Sequence, residues 1–121
     1  MTRDEVFQYL SLAEKNKGSQ SLFIMEQLLF ELGSPEQKVP AVHLAGTNGK
    51  GSTARLLESC LREAGYKTGL YTSPHVLCFS ERIRVNGENI SKQELCSLTQ
   101  KVQSAEAKLG LRLNYFQIVT A

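Results

Sequence analysis

The sequence has little of what marks secreted, membrane or nucleic-acid-binding proteins. Its three cysteines are odd in number and lack the paired spacing of a zinc or redox motif, which predicts reduced thiols. No run approaches the ~18 apolar residues of a membrane span, and the acidic N-terminus is unlike a signal peptide. A net charge of +2 without a basic cluster argues against nucleic-acid binding. We expect a soluble, cytoplasmic protein.

The size of the chain favours one compact core. With 121 residues, of which 41% are hydrophobic, it is long enough for one domain, or part of one, and too short for two ordinary ones. Thr2 and Glu5 form a capping box before a helical apolar pattern, and a second pattern over residues 20–32 ends at Gly33. Both segments predict helices.

Residues 39–73 are typical of a strand, a glycine-rich turn, a helix and a second strand. Val39, Val42 and Leu44 are short apolar residues that predict a buried strand. The helix carries an apolar stripe that includes Cys60, which we expect in the core, and it ends at Gly65. A strand follows over residues 67–71, so the two strands are predicted to be parallel and joined by a right-handed crossover.

The turn between the first strand and the helix suggests phosphate chemistry. Backbone N–H groups at a helix N-terminus form an anion site with the positive end of the helix dipole. Lys50 adds a mobile positive charge, and the Ser52 and Thr53 hydroxyls are possible Mg²⁺ ligands. A glycine turn can also serve only to pack a helix closely on a strand. The lysine, the hydroxyls and the strand-to-helix context together favour phosphate binding.

The strict Walker A pattern is not met, because Leu44 and Gly51 stand where it requires a glycine and a hydroxyl residue. The loop GTNGKGS at residues 46–52 instead resembles the P-loop of the Mur ligase superfamily, in the form found in dihydrofolate synthases and folylpolyglutamate synthases. YTSPH at residues 71–75, ERIRVNGENI at 81–90 and NYFQIVTA at 114–121 follow in the order of that family. The resemblance implies an α/β fold: a partial Mur-ligase-type nucleotide-binding domain with parallel strands, helices and a β-hairpin.

The resemblance also implies roles for individual residues. Lys50 would be catalytic, and Ser52 and Ser73 would bind Mg²⁺. Asn114 and Gln117 stand where the family commonly has Thr and Glu, and His75 is equally well explained as an exposed loop histidine. ATP would be bound by Gly46, Thr47, Asn48, Gly49, Lys50, Gly51 and Ser52, and the pterin or folate by Ser21, Leu22, His75, Asn114, Tyr115, Phe116 and Gln117.

The function implied by the resemblance is ATP-dependent amide formation. L-Glutamate would be joined to dihydropteroate, to folates or to both, through an acyl phosphate, with ATP and Mg²⁺ and with the parent enzyme a monomer. Residues 1–121 would be the N-terminal part of the ATP-binding domain, without the C-terminal glutamate-ligase domain, and so inactive alone. Two alternatives stay open: another P-loop or Mur-type ligase or kinase, and a non-catalytic nucleotide-binding module.

The C-terminal half contains two further local signals. Asn86-Gly87 between apolar-alternating residues predicts a two-residue hairpin. Ser91 and Glu94 form a capping box before a helix that is expected to reach Gly110. Cys78 lies beside the predicted site, where a packing role is favoured over a reactive one.

Overall fold

The computed structural model describes residues 1–15, 22–46, 48–73 and 82–121. It divides into two units, one formed by Met1–Pro40 with Lys92–Ala121 and the other by Ala41–Ser91. The predictions for Ser21, Thr47, His75 and Cys78 lie outside the described residues. No helix among the described residues is long and apolar enough to cross a membrane.

The first unit is helical. It contains α1 (Arg3–Glu14), α2 (Leu22–Glu31), a short 3-10 helix (Pro35–Gln37), α4 (Lys92–Leu109) and α5 (Tyr115–Thr120). The predicted capping box is confirmed: the Glu5 N–H donates to Thr2 Oγ1 at 3.3 Å, and the Thr2 N–H donates to Glu5 Oε2 at 2.8 Å. Helix α1 packs on α4 and α5, and α2 packs on α4. The core contains Val6, Leu10, Ala13, Leu28, Leu95, Val102, Ala105, Leu113, Ile118 and Val119.

Glu106 of α4 holds the connection to α5 and lies near Tyr9 of α1. Its Oε2 accepts a hydrogen bond from the Leu113 N–H at 3.0 Å, in the connection that leads to α5. Burial raises the pKa of the Tyr9 phenol on α1, and the Glu106 carboxylate raises it further because a negative neighbour disfavours a second negative charge.

The second unit contains α3 (Lys50–Glu63) and the strands β1 (Gly69–Tyr71), β2 (Ile83–Val85) and β3 (Glu88–Asn89). The sheet order is β1-β2-β3 and both pairs are antiparallel, with Leu70 opposite Arg84 and Val85 opposite Glu88. The hairpin prediction is confirmed: Asn86 and Gly87 have φ of 51° and 83°, as a primed two-residue turn requires. Mixed α/β structure is likewise confirmed.

The prediction of a buried parallel strand at residues 39–44 is wrong for this structure. Val39 and Val42 are 65% and 68% exposed, and the segment has no regular secondary structure. A strand needs a neighbour to pair with its backbone groups. Among the described residues, β1 pairs with β2 and nothing pairs with residues 39–44. The apolar composition is that of a strand, but the part of the chain that the structure describes supplies no partner for it.

The prediction that Cys60 lies in the core is also wrong. Cys60 is exposed, and the residue that α3 buries most is Glu58, at 8% exposure. Glu58 Oε1 accepts hydrogen bonds from Thr68 Oγ1 at 2.7 Å and from Arg62 Nε at 2.9 Å. Thr68 in turn exchanges hydrogen bonds with Asn86, through its own N–H to Asn86 Oδ1 and the Asn86 N–H to its carbonyl, both at 2.9 Å. A polar network therefore joins α3 to the hairpin.

This network predicts a pH-dependent stability. The Thr68 hydroxyl, followed by Arg62, holds the pKa of Glu58 below its ordinary 4.5. Because the folded-state pKa is the lower one, the stabilisation is present above about pH 4.5 and is lost as the pH falls through the folded-state pKa. Urea unfolding should show wild type more stable than Glu58→Gln at pH 7, with the gap narrowing towards pH 3. A gap independent of pH would contradict this account.

Candidate functional site

The glycine-rich loop ends in an uncapped helix N-terminus. Gly49 occupies the N-cap position of α3 with φ of 77°, and no side chain caps the helix there. The first intrahelical bond runs from the Thr53 N–H to the Gly49 carbonyl at 2.9 Å. The N–H groups of Lys50, Gly51 and Ser52 precede that bond and have no partner among the described residues. Donors in this position form an anion site.

The loop is open. A Cβ atom placed on Gly46, Gly49 or Gly51 would meet no atom within 4 Å. No atom therefore crowds the Cα positions of these three glycines. Gly49 also needs to be glycine for its backbone, since its positive φ is strained for other residues.

The charge distribution at this end of α3 suits an anion. Lys50 is the first helical residue and is exposed, and Ser52 and Thr53 are also exposed in the same first turn. The first turn of α3 has no acidic residue to compete for the positive end of the helix dipole. The backbone N–H donors, the helix dipole and the Lys50 ammonium group therefore all attract an anion to this end of α3.

The Glu58–Thr68 contact fixes the start of the return chain against α3. After α3 ends, the chain turns back and Thr68 reaches Glu58, and β1 packs against the helix. Lys50 precedes Glu58 by eight residues, which is about 12 Å along the helix axis. Ser73 follows Thr68 by five residues, or about 16 Å of extended chain. This length of extended chain is sufficient to span the distance back to the beginning of α3.

Ser73 lies beyond the last residue of β1 that pairs in the sheet. The Thr72 N–H donates to the Arg82 carbonyl at 2.8 Å, directly after the last paired residue, Tyr71. Ser73 stands just beyond this bond and is exposed. Its hydroxyl is therefore accessible on the same unit as the glycine-rich loop.

The predicted pterin residues of the C-terminal segment occupy α5. Asn114 caps the helix, and its side chain and that of Gln117 form a reciprocal box: the Gln117 N–H donates to Asn114 Oδ1 at 2.9 Å, and the Asn114 N–H donates to Gln117 Oε1 at 3.0 Å. Gln117 is 4% exposed, whereas Phe116 is 62% exposed and Tyr115 is half-buried. The aromatic ring of Phe116 is thus the most accessible of these groups.

The chain is similar to known folate enzymes. It is 51% identical over 79 residues, 65% of its length, to the dihydrofolate synthase/folylpolyglutamate synthase of Bacillus subtilis, and 38% identical over 112 residues, 93% of its length, to that of Buchnera aphidicola from Schizaphis graminum. A solved folylpolyglutamate synthase complexed with AMPPCP and folate superposes on 99% of this chain with a TM-score of 0.91 and 30% identity. The chain belongs to the dihydrofolate synthase/folylpolyglutamate synthase family. No protein-family model matches it.

The chain spans only part of the family's length. It covers 18% of the Bacillus subtilis synthase, 26% of the Buchnera synthase and 30% of the solved folylpolyglutamate synthase. The resemblance based on GTNGKGS and the later motifs is confirmed as a family assignment.

The other predicted site residues of this synthase-family chain are distributed over both units. Leu22 begins α2 and is 79% exposed, and it belongs to the helical unit together with Asn114–Gln117. The glycine-rich loop and Ser73 belong to the unit formed by Ala41–Ser91. Within the described residues, no three His, Cys, Asp or Glu side chains form a group that could hold a metal ion.

Sequence reasoning missed the polar network that fixes the helix of this site. Glu58 and Arg62 are spaced i,i+4 on α3, which is the spacing of a helical ion pair, and that signal was available in the sequence. The partners Thr68 and Asn86 were not detectable, since they belong to other segments further along the chain. A Cβ on Gly87 would come within 2.7 Å of Arg62 Cζ, so the hairpin turn lies directly against the guanidinium.

Proposed function

We propose that this chain is the nucleotide-binding part of an ATP-dependent amide ligase that adds L-glutamate to dihydropteroate, to folates or to both. The open glycine-rich loop at the start of α3, with unpaired N–H groups and the exposed Lys50, carries this proposal. The bound AMPPCP and folate of the solved family structure support it, since AMPPCP is an analogue of ATP. The chain would form the N-terminal part of the ATP-binding domain, with a separate glutamate-ligase domain in the complete enzyme.

The reaction requires two anions to meet. The substrate carboxylate attacks the γ-phosphorus of ATP, ADP leaves, and an acyl phosphate forms; the amino group of glutamate then attacks the acyl carbon, and inorganic phosphate leaves. Lys50 and the N–H groups of α3 would hold the phosphates, lowering the repulsion and aligning the attack. Ser52 and Ser73 would hold Mg²⁺, which supplies additional charge neutralisation when bound.

The pterin or folate would be held on the helical unit. Phe116 presents an exposed ring suited to stacking on a flat heterocycle, and Leu22 adds exposed apolar surface. Ser21, His75 and Tyr115 complete the proposed substrate set. Asn114 and Gln117 would contribute indirectly, by forming the capping box that begins α5. Their side-chain oxygens already accept hydrogen bonds from each other's backbone N–H groups.

The decisive test is nucleotide binding by the chain and its Lys50→Ala variant. We expect calorimetric titration with AMPPCP and Mg²⁺ to show binding that Lys50→Ala weakens about 10- to 100-fold, the equivalent of one hydrogen bond to a charged group. Chelating Mg²⁺ should also weaken binding, and Ser73→Ala should matter only when Mg²⁺ is present. Lys67→Ala is the control, since Lys67 is an exposed lysine that precedes β1. Equal effects of the two lysine variants would refute the proposal.

A further inference from the structure

The exposed ring of Phe116 belongs to a helix that is too short to hold its own position. Helix α5 has six residues, and isolated helices shorter than about 12 residues are marginal in water. The three residues after the ring, Gln117, Ile118 and Val119, are buried, and α5 packs on α1. The direction in which the Phe116 ring points therefore depends on how the rest of the helical unit holds α5.

Glu106 of α4 holds the connection to α5 at two points. Its backbone carbonyl accepts a hydrogen bond from the Leu111 N–H at 3.0 Å, and its side-chain Oε2 accepts one from the Leu113 N–H, also at 3.0 Å. Leu113 is 2% exposed, and Asn114, the N-cap of α5, follows it directly. One residue of α4 thus fixes the chain up to the start of α5.

The Glu106 carboxylate lies where three helices meet. Glu106 is half-buried on α4, and Leu113 leads from it into α5. Tyr9 of α1 lies close to the same carboxylate, since burial and then Glu106 raise the pKa of the phenol. Helix α1 also packs on both α4 and α5. Removing the carboxylate would therefore take an acceptor from the buried connection at the point where these helices are held together.

We propose, on the basis of the function proposed above, that Glu106 is a positioning residue for the pterin or folate. It holds Leu113, sets the start of α5 and so places the Phe116 ring on which the heterocycle stacks. Stacking depends on the distance and tilt of the two rings, and a displacement of about 1 Å is enough to weaken a contact severely. Glu106 acts through α5, and its side chain has no part in phosphate binding, since the glycine-rich loop belongs to the other unit.

The test compares folate binding by the chain and its variants in calorimetric titrations. Glu106→Leu removes the acceptor at similar volume and should weaken folate binding about tenfold. Glu106→Gln keeps an acceptor oxygen and should stay within about twofold of wild type. Gln103→Leu is the control, since Gln103 is exposed on α4 one turn before Glu106. The affinity for AMPPCP should be the same in all variants.

A double variant separates positioning from a purely structural role. If Glu106 acts through Phe116, Glu106→Leu should change folate affinity by less than about twofold in a Phe116→Ala background. A residue that only stabilises the fold would lower the free energy of unfolding and leave the folate affinity of the folded protein unchanged. The titrations are therefore run at a temperature where circular dichroism shows each variant folded, and Glu106→Ala replaces the leucine variant if that one does not fold.

Amide exchange gives a measurement that needs no ligand. The Ile118 N–H donates to the Asn114 carbonyl at 3.1 Å, and it should exchange about tenfold faster in Glu106→Leu and at the wild-type rate in Glu106→Gln. Unchanged exchange, or equal folate affinities of Glu106→Leu and wild type, would overturn the positioning role and leave the proposed function intact. Folate binding that is absent in wild type or insensitive to Phe116→Ala would instead refute the proposed substrate contact.

Discussion

Replacing Gly49 by valine should abolish detectable nucleotide binding. Gly49 adopts a φ of 77° at the N-cap of α3, a conformation that costs a β-branched residue about 1–3 kcal/mol. Relieving that strain rotates the peptide groups that aim N–H donors at a phosphate. Loss of two hydrogen bonds to a charged group, at about 1.5–3 kcal/mol each, corresponds to about 100-fold or more in affinity. Titration with AMPPCP and Mg²⁺ measures the effect.

Gly65→Val is the matched control at the opposite end of the same helix. Gly65 has a φ of 94°, and like Gly49 it would meet no atom within 4 Å if it carried a Cβ. The two variants thus impose similar backbone strain on α3 and similar costs in stability. Only Gly49 lies at the end with free N–H donors, so Gly65→Val should keep its affinity within about twofold. A comparable loss in both variants would mean that the loop does not bind phosphate.

Features set by neighbouring residues could be predicted from the sequence. The Thr2 capping box, the Asn86-Gly87 turn and the end of α4 before Gly110 each depend on residues within one or two turns. The open glycine-rich loop belongs to this group, since positive φ values at Gly46 and Gly49 and the following helix follow from composition. Family membership was predictable as well, because the motifs retain their order along the chain.

Pairing between distant segments could not be predicted. The apolar pattern of Val39, Val42 and Leu44 indicates a strand, but nothing within it identifies the partner, and the segment is unpaired in this structure. The same limit applies to α3, where the stripe containing Cys60 gave the wrong buried side. Glu58 is buried because Thr68 and Arg62 satisfy its carboxylate, and hydrophobic periodicity carries no information about such partners.

Asn114 and Gln117 also carry a local structural signal. An Asn followed three residues later by Gln is itself a capping-box signal, and the structure forms that box. The Thr and Glu that the resemblance implies for these positions would have the same capping capacity, with a carboxylate in place of the Gln117 amide. Whether either side chain also contacts a pterin stays a prediction.

Leu28→Ala should cause a large loss of stability. Leu28 is fully buried at 0% exposure on α2, which packs against α4. Removing its side chain leaves a cavity and is expected to cost about 2–5 kcal/mol. That is a large share of the about 5–15 kcal/mol typical of a folded domain, so Leu28→Ala should be partly unfolded at 37 °C. Urea unfolding followed by circular dichroism gives the free energy of unfolding.

Leu22→Ala is the control for Leu28→Ala, because it removes an equally hydrophobic but exposed side chain from the same helix. Leu22 is the first residue of α2 and is 79% exposed, so its truncation should change the free energy of unfolding by no more than about 0.5 kcal/mol. Helix α2 also exposes Phe23 and Phe30, at 64% and 77%, which shows that apolar composition alone does not identify its core contact. Equal losses in the free energy of unfolding for the two leucine variants would contradict the claim that the burial of Leu28 holds α2 against α4.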